Sequence, residues 1–363
     1  MKSNPRQNQV KDFTGLESEY LESIEGRRSL VGYLCMRTPV ELIEAYGAVP
    51  IRIVSSPVAV SSGFNPIRND ACSFCKQVPE LMKLDSYKYL SGIIAGSCCD
   101  QMRRTVDVLN ETLDIPAIIY SAPRTYGQNA SFFLNEMKAA FAKLADSLRL
   151  TIDENELHKA IKSRKQLRKL VNQKRYDGAI SAPLIHKLAG SCLPAEKIIE
   201  FLTGLKPLPV NSDSVRLMLF GSIPSGKEIL LIEEVGGYVA VDLTCLGDRV
   251  FEIKQNLPEE PFEFLYKHYI EHNNCPHRRS YAPLIDYAKQ QIKRGAIDGI
   301  VYRSVKYCHP FGLAAKRFKE ELGMPFLELD DDLTLQATGS FRTRLGAFVE
   351  MLEAQKRRKV AQV

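Results

Sequence analysis

No stretch of this chain approaches the roughly 20 consecutive apolar residues that a membrane-spanning helix needs. Its opening, MKSNPRQNQVKDFTGLESEYLE, has no apolar core of the kind a secretory signal carries. A cytoplasmic protein with no membrane association is expected. Charge of one sign is not in large excess either: the formal net charge is +6. The basic residues are dispersed except for Lys356, Arg357, Arg358 and Lys359, a run that reads as a solvated helix end, so no nucleic-acid partner is expected. A mild basic excess suits an anionic small ligand. The bias of a disordered chain is also missing, because 45% of the residues are apolar and 25% charged, which is ample for a buried core.

Two local motifs are incomplete. In FGSIPSGKE, Gly221, Gly226 and Lys227 have the GxxxxGK spacing behind a strand, but Glu228 stands where a phosphate loop requires a magnesium-binding Ser or Thr. A plain strand-to-helix turn is expected there. Structural zinc generally shows two short-spaced cysteine pairs, and only Cys72 with Cys75 forms such a pair.

What is present is an alternation of strands and helices. After a polar helical lead-in, strands are expected at 29–34, 49–54, 89–95 and 117–120, with helices at 39–46 and 101–113 between them. From about 127 to 205 the pattern is helical and charged, and LKPLPVNSD marks its end. A second series follows, with strands at 214–220, 238–242, 299–302 and 325–329, helices at 226–234 and 309–322, and a last helix at 339–354. At 363 residues the chain is too long for one ordinary core. The expected fold is α/β: two open parallel-sheet, Rossmann-like domains joined by a helical segment, divided at 1–126, 127–205 and 206–363.

Nine cysteines stand at 35, 72, 75, 98, 99, 192, 245, 275 and 308. In a reducing compartment they are metal ligands or buried thiols rather than disulfides. Cys35, Cys99, Cys245 and Cys308 each follow a different expected strand, and the carboxyl ends of parallel strands are where such sheets bind ligands. Dispersed single thiols suit an iron-sulfur cluster held between domains better than zinc. The plain alternative, cysteines acting as small buried hydrophobes, stays open, and Cys192 in the helical segment is assigned to it.

The segments GYLCMRTPVELIEAYGAVPIRI, CSFCKQVPEL, GSCCDQMRR, KYCHPFGLAAKRFKEELGMPFLELDDD and TGSFRTRLGAFVEML resemble, in order and from about residue 30 to 353, the 2-hydroxyacyl-CoA dehydratase and benzoyl-CoA reductase family. The resemblance implies cluster cysteines in the GxxC, CD and CH contexts, here Cys35, Cys99 and Cys308, with a further one at Cys72. The double-cubane members carry two more, matched by Cys245 and Cys275. The chain departs from the family pattern in having Cys75 and Cys98 as extra neighbours, and Pro276, His277 and Arg278 where double-cubane proteins have another cysteine.

The resemblance further implies an oxygen-sensitive oxidoreductase or hydro-lyase that passes single low-potential electrons to a small molecule or an acyl-CoA. In the dehydratases the electron makes a ketyl radical from a CoA thioester and permits loss of a hydroxyl. Six candidate thiols favour the double-cubane branch, whose members resemble small-molecule reductases. The alternatives are one subunit of a heterodimeric dehydratase or benzoyl-CoA reductase with a single 4Fe-4S cluster, and a non-catalytic electron store or scaffold. A homodimer is expected, reduced by an ATP-dependent iron-sulfur activator protein. His309, beside Cys308 at the start of a helix, is a candidate catalytic proton donor, the alternative being a hydrogen bond to a cluster sulfur.

Overall fold

The computed structural model describes residues 5–56, 67–84, 87–125, 127, 129–209, 213–272, 274–278, 280–334 and 338–360. Two parallel four-stranded sheets carry the fold. The first contains β1 (Leu30–Tyr33), β2 (Val49–Arg52), β3 (Gly92–Gly96) and β4 (Ala117–Tyr120), in the order β2-β1-β3-β4. The second contains β5 (Val215–Gly221), β6 (Gly237–Leu243), β7 (Gly299–Val305) and β8 (Phe326–Asp331), in the order β6-β5-β7-β8. Both orders are the same pattern: the second strand lies on one side of the first, and the third and fourth lie on the other. Each sheet therefore has a switch point, between β1 and β3 and between β5 and β7, where successive connections leave in opposite directions and open a crevice at the strand ends.

The strands read as near-continuous apolar runs because helices cover both faces. Every residue of β3 and β7 is buried, including Arg303 and Ser304. Arg303 is tolerated inside because Asp331 accepts from its Nη2 at 2.9 Å and Glu228 accepts from its Nε. β7 runs to Val305, past the end expected at 302, with Ser304 and Val305 paired to Asp330 and Asp331 of β8.

Helix Ala130–Ser147 folds back on the first sheet, where the Phe141 and Tyr120 rings lie 6.1 Å apart. The lead-in helix Pro5–Ile24 docks instead on helices of the middle segment: Gln9 Nε2 donates to the Ala179 carbonyl at 2.7 Å, and Phe13 meets Phe201 edge-on at 5.1 Å. Helix Glu154–Tyr176 is tied to the first sheet's helix Val40–Ala45 by Arg164–Glu44 at 2.6 Å and Arg168–Glu41 at 2.9 Å. One buried apolar cluster runs from Ile93 and Ala95 of the first sheet to Ile223, Leu246 and Val305 of the second, so the two sheets share a core at their carboxyl ends.

Gly221, at the end of β5, has φ +147°, and a Cβ there would fall on the Arg303 carbonyl. Only glycine permits this close passage of β5 past β7. In the following turn Lys227 bonds Asp331 at 3.2 Å, and Glu228 closes on Ser225 and Arg303. The groups that would cradle a phosphate are engaged with the protein itself, as the strand-to-helix turn expected from the sequence requires.

Candidate metal centre

The carboxyl ends of the two sheets face one cavity of about 350 Å³. Its walls include seven of the nine cysteines: Cys35, Cys72, Cys75, Cys98, Cys99, Cys245 and Cys308. All nine are free thiols. Each thiol arrives for a local reason. Cys35 follows β1, and the Arg37 N–H donates to its Sγ at 3.5 Å. Cys72, Cys99 and Cys308 are the N-cap residues of helices Ser73–Leu81, Asp100–Thr112 and His309–Leu322. Three helix N-termini thus end on the cavity, where unpaired N–H groups and the helix dipole favour a thiolate. The Met102 N–H donates to Cys99 Sγ at 3.4 Å. Tyr307, with φ 64°, holds the sparsely populated left-handed conformation just before Cys308, and the Cys308 N–H then returns to the Val305 carbonyl at 2.8 Å.

Gln101 links three of these pieces. Its Oε1 accepts from the Cys72 N–H and its Nε2 donates to the Tyr307 carbonyl at 3.3 Å, while its own helix is capped by Cys99. One side chain therefore sets the spacing of Cys72, Cys99 and the Cys308 turn. Nothing in the sequence marks it beyond its place after the CCD run.

The thiols fall into two hydrogen-bonded groups. In the first, the Cys98 thiol bridges Cys35 and Cys99. Its hydrogen bonds are the main cause that brings each of them down to about 5, and Cys98 itself is pushed well above the ordinary thiol range. In the second, Cys72 accepts from Cys308 and Cys75 and is drawn well down, and those two are pushed well up. Burial raises Cys245 to about 11, although Arg249 Nη2 lies 3.5 Å from its sulfur.

Cys275 lies behind the cavity wall, buried, with His277 Nδ1 3.0 Å from its sulfur. Burial opposes the Cys275 thiolate, but the His277 charge and hydrogen bond outweigh it and bring the thiol down to about 7. Burial likewise opposes the His277 imidazolium, and the sulfurs of Cys275 and Cys99 overcome that and raise it to about 10. His277 thus joins Cys275 to Cys99. The ligand atoms of Cys98, Cys99 and His277 lie within 4.8 Å of one another, close enough to hold a metal ion.

Of the six sequence-derived candidates, the structure brings Cys35, Cys72, Cys99, Cys245 and Cys308 to the cavity and keeps Cys275 one side chain away. Cys75 and Cys98 join them. Cys192 lies elsewhere, against Glu17, and its thiol is raised to about 12, chiefly by burial. His309 is exposed on the cavity rim. His277 was visible in the sequence only as a departure in the Cys275 loop, and a histidine two residues after a candidate thiol is the signal that could have found it.

A family model described as 2-hydroxyglutaryl-CoA dehydratase, D-component, matches residues 35–352. The beta subunit of the lactoyl-CoA dehydratase of Anaerotignum propionicum is 24% identical over 372 residues, covering 95% of this chain and 98% of its own length. The (R)-phenyllactyl-CoA dehydratase beta subunit of Clostridium sporogenes is 21% identical, covering 89% and 91%. A benzoyl-CoA reductase subunit from Thauera aromatica is 21% identical, covering 82% and 83%.

Proposed function

The chain belongs to the 2-hydroxyglutaryl-CoA dehydratase D-component family, and from that premise we propose that it is an iron-sulfur enzyme of the double-cubane type, delivering single low-potential electrons to a small molecule or an acyl-CoA. The observation that carries this reading is seven free thiols around one cavity at the switch points of two parallel sheets. The donor set fits such a group. Tetrahedral zinc uses about four ligands held close together, whereas these thiols are more numerous and ring a cavity. Soft sulfur donors select polynuclear iron-sulfur centres. On this reading Cys35, Cys72, Cys99, Cys245, Cys275 and Cys308 hold the cluster.

When bound, the cluster supplies the electron. The chain supplies the rest. Three helix N-termini and the nearby arginines favour negative charge in the cavity. The shared apolar core beneath it excludes water from that side. On this reading His309, exposed on the rim, gives a proton to a substrate entering from solvent. Lys227 and Glu228 are engaged within the protein, so ATP coupling falls to a separate activator protein that docks over the rim of a homodimer.

The names of the relatives favour a second reading, in which this chain is one subunit of a dehydratase or reductase and holds a single 4Fe-4S cluster. A non-catalytic electron store is the reading from another class. Spectroscopic monitoring of the anaerobic protein with reduced activator, with and without ATP and an acyl-CoA, tests the proposal. ATP-dependent reduction followed by substrate-dependent reoxidation is expected. Equal reduction without ATP removes the activator, and no reoxidation by any thioester or small reducible molecule leaves the electron store.

A further inference from the structure

Buried arginines in this fold divide into two kinds. Arg164, Arg168, Arg175 and Arg303 each close on a carboxylate, at 2.6, 2.9, 3.1 and 2.9 Å. Arg37, Arg52 and Arg249, only 2%, 5% and 2% exposed, close on none among the described residues, but Arg249 gives its donors to the Thr244 and Asn274 carbonyls and the Cys245 sulfur. Arg37 Nη2 donates to the Ile270 carbonyl at 2.9 Å, but its Nε has no acceptor. Arg52 leaves both Nε and Nη1 without acceptors and rests 5.1 Å above the Tyr33 ring. An unmatched guanidinium in a protein interior is costly, and such groups are retained where something anionic comes to meet them.

Both charges act on the same side of the thiol cavity. Arg52 lines it and reaches Cys35 and Cys245, and Arg37 reaches Cys35 and Cys275. Around Cys72, Cys75 and Cys308 the strongest influences are the three thiols themselves and burial, followed by backbone amides, Cys99 and Thr105, with no guanidinium among them. Helices Ser73–Leu81 and His309–Leu322 end on that second side, but a helix end is equivalent to about half a charge, against a full charge from each arginine. The Cys35 side is the more electropositive.

Resting on the iron-sulfur reading, we infer that Arg52, with Arg37 behind it, is a positioning residue for charge: it compensates the negative charge of the cluster on the Cys35 side and sets how readily the cluster accepts an electron. Reduction by a one-electron donor adds one negative charge to the cluster as the donor is oxidised. No group need be protonated if a fixed guanidinium already faces that charge. The donor used as a probe is titanium(III), which becomes titanium(IV).

The test is an anaerobic redox titration of the full-length, cluster-loaded protein with titanium(III) citrate, followed by the cluster's absorbance and paramagnetic signal. Arg52→Met is expected to lower the reduction equilibrium at least tenfold, a fall of about 59 mV for one electron. Arg52→Lys, which keeps the charge, is expected to recover most of it. Arg164→Met, whose guanidinium is paired with Glu44 and does not line the thiol cavity, is expected to leave the midpoint at the wild-type value. A wild-type midpoint in Arg52→Met, or equal shifts in the Met and Lys variants, overturns the inference. If Arg52→Met does not load iron and sulfide, Arg37→Met replaces it, and a wild-type midpoint or loss of loading in that variant also overturns it. Wild-type protein that binds no iron and sulfide instead refutes the iron-sulfur reading on which the inference rests.

Discussion

Replacing His277 by alanine isolates one interaction of the site in the cluster-free chain. The imidazole lies 3.0 Å from Cys275 and, with smaller help from Arg249 and Arg37, lowers that thiol from 9.0 to about 7 against the effect of burial. At about 1.4 kcal/mol per unit, this difference corresponds to roughly 3 kcal/mol in favour of the thiolate. The Cys275 contribution to stability is full above 9.0 and is lost as pH falls through about 7. The His277 contribution is full below 6.5 and is lost as pH rises through about 10. The imidazolium–thiolate pair is therefore formed between about 7 and about 10. Thermal unfolding of the reduced, cluster-free chain should show stability falling between 6.5 and about 7, level from there to 9.0 where the Cys275 gain offsets the His277 loss, and falling again to about 10, and His277→Ala should lack the first fall. Thiolate absorbance should show the titrations of both Cys275 and Cys99 displaced upward, because His277 lowers both thiols. Identical pH profiles of unfolding and thiolate absorbance in the two proteins would refute the pairing.

Three further outcomes are expected. Glu41→Gln should destabilise the chain by about 3 kcal/mol or more in thermal or denaturant unfolding, because it leaves buried Arg168 without its counter-charge. Gly221→Ala should cost about 4 kcal/mol or abolish soluble expression, since the new methyl meets the Arg303 backbone at a positive φ. Cys192→Ser should leave iron content unchanged, and Cys99→Ser should lower it, as measured by metal analysis after anaerobic purification. The reverse pair of results would move the site away from the cavity.

Much of the fold was legible because the parallel strands are short apolar runs bounded by turn residues: β1, β2 and β4 fall inside the segments expected at 29–34, 49–54 and 117–120. Strand β3 begins at Gly92 rather than at 89, because Tyr87, Tyr89 and Leu90 form a turn whose residues look apolar in sequence. The π-helical turn Tyr266–Glu271 left no sequence mark. Cysteines after strands were readable because strand ends in such sheets converge. The charges around them were not. Arg37 and Arg52 stand in ordinary contexts, and only tertiary packing reveals that Glu44 and Glu41 go to Arg164 and Arg168 and leave Arg37 and Arg52 without a carboxylate among the described residues. The sharing of protons through Cys98 likewise depends on two loops meeting.

The most direct test of the central claim is the iron and acid-labile sulfide content per chain of the protein purified without oxygen, measured for wild type and for Cys35→Ser and Cys308→Ser. Iron and sulfide in the amount of two cubanes per chain, lost or halved in both variants, is the predicted result. Zinc without sulfide, or iron unaffected by either substitution, would contradict it.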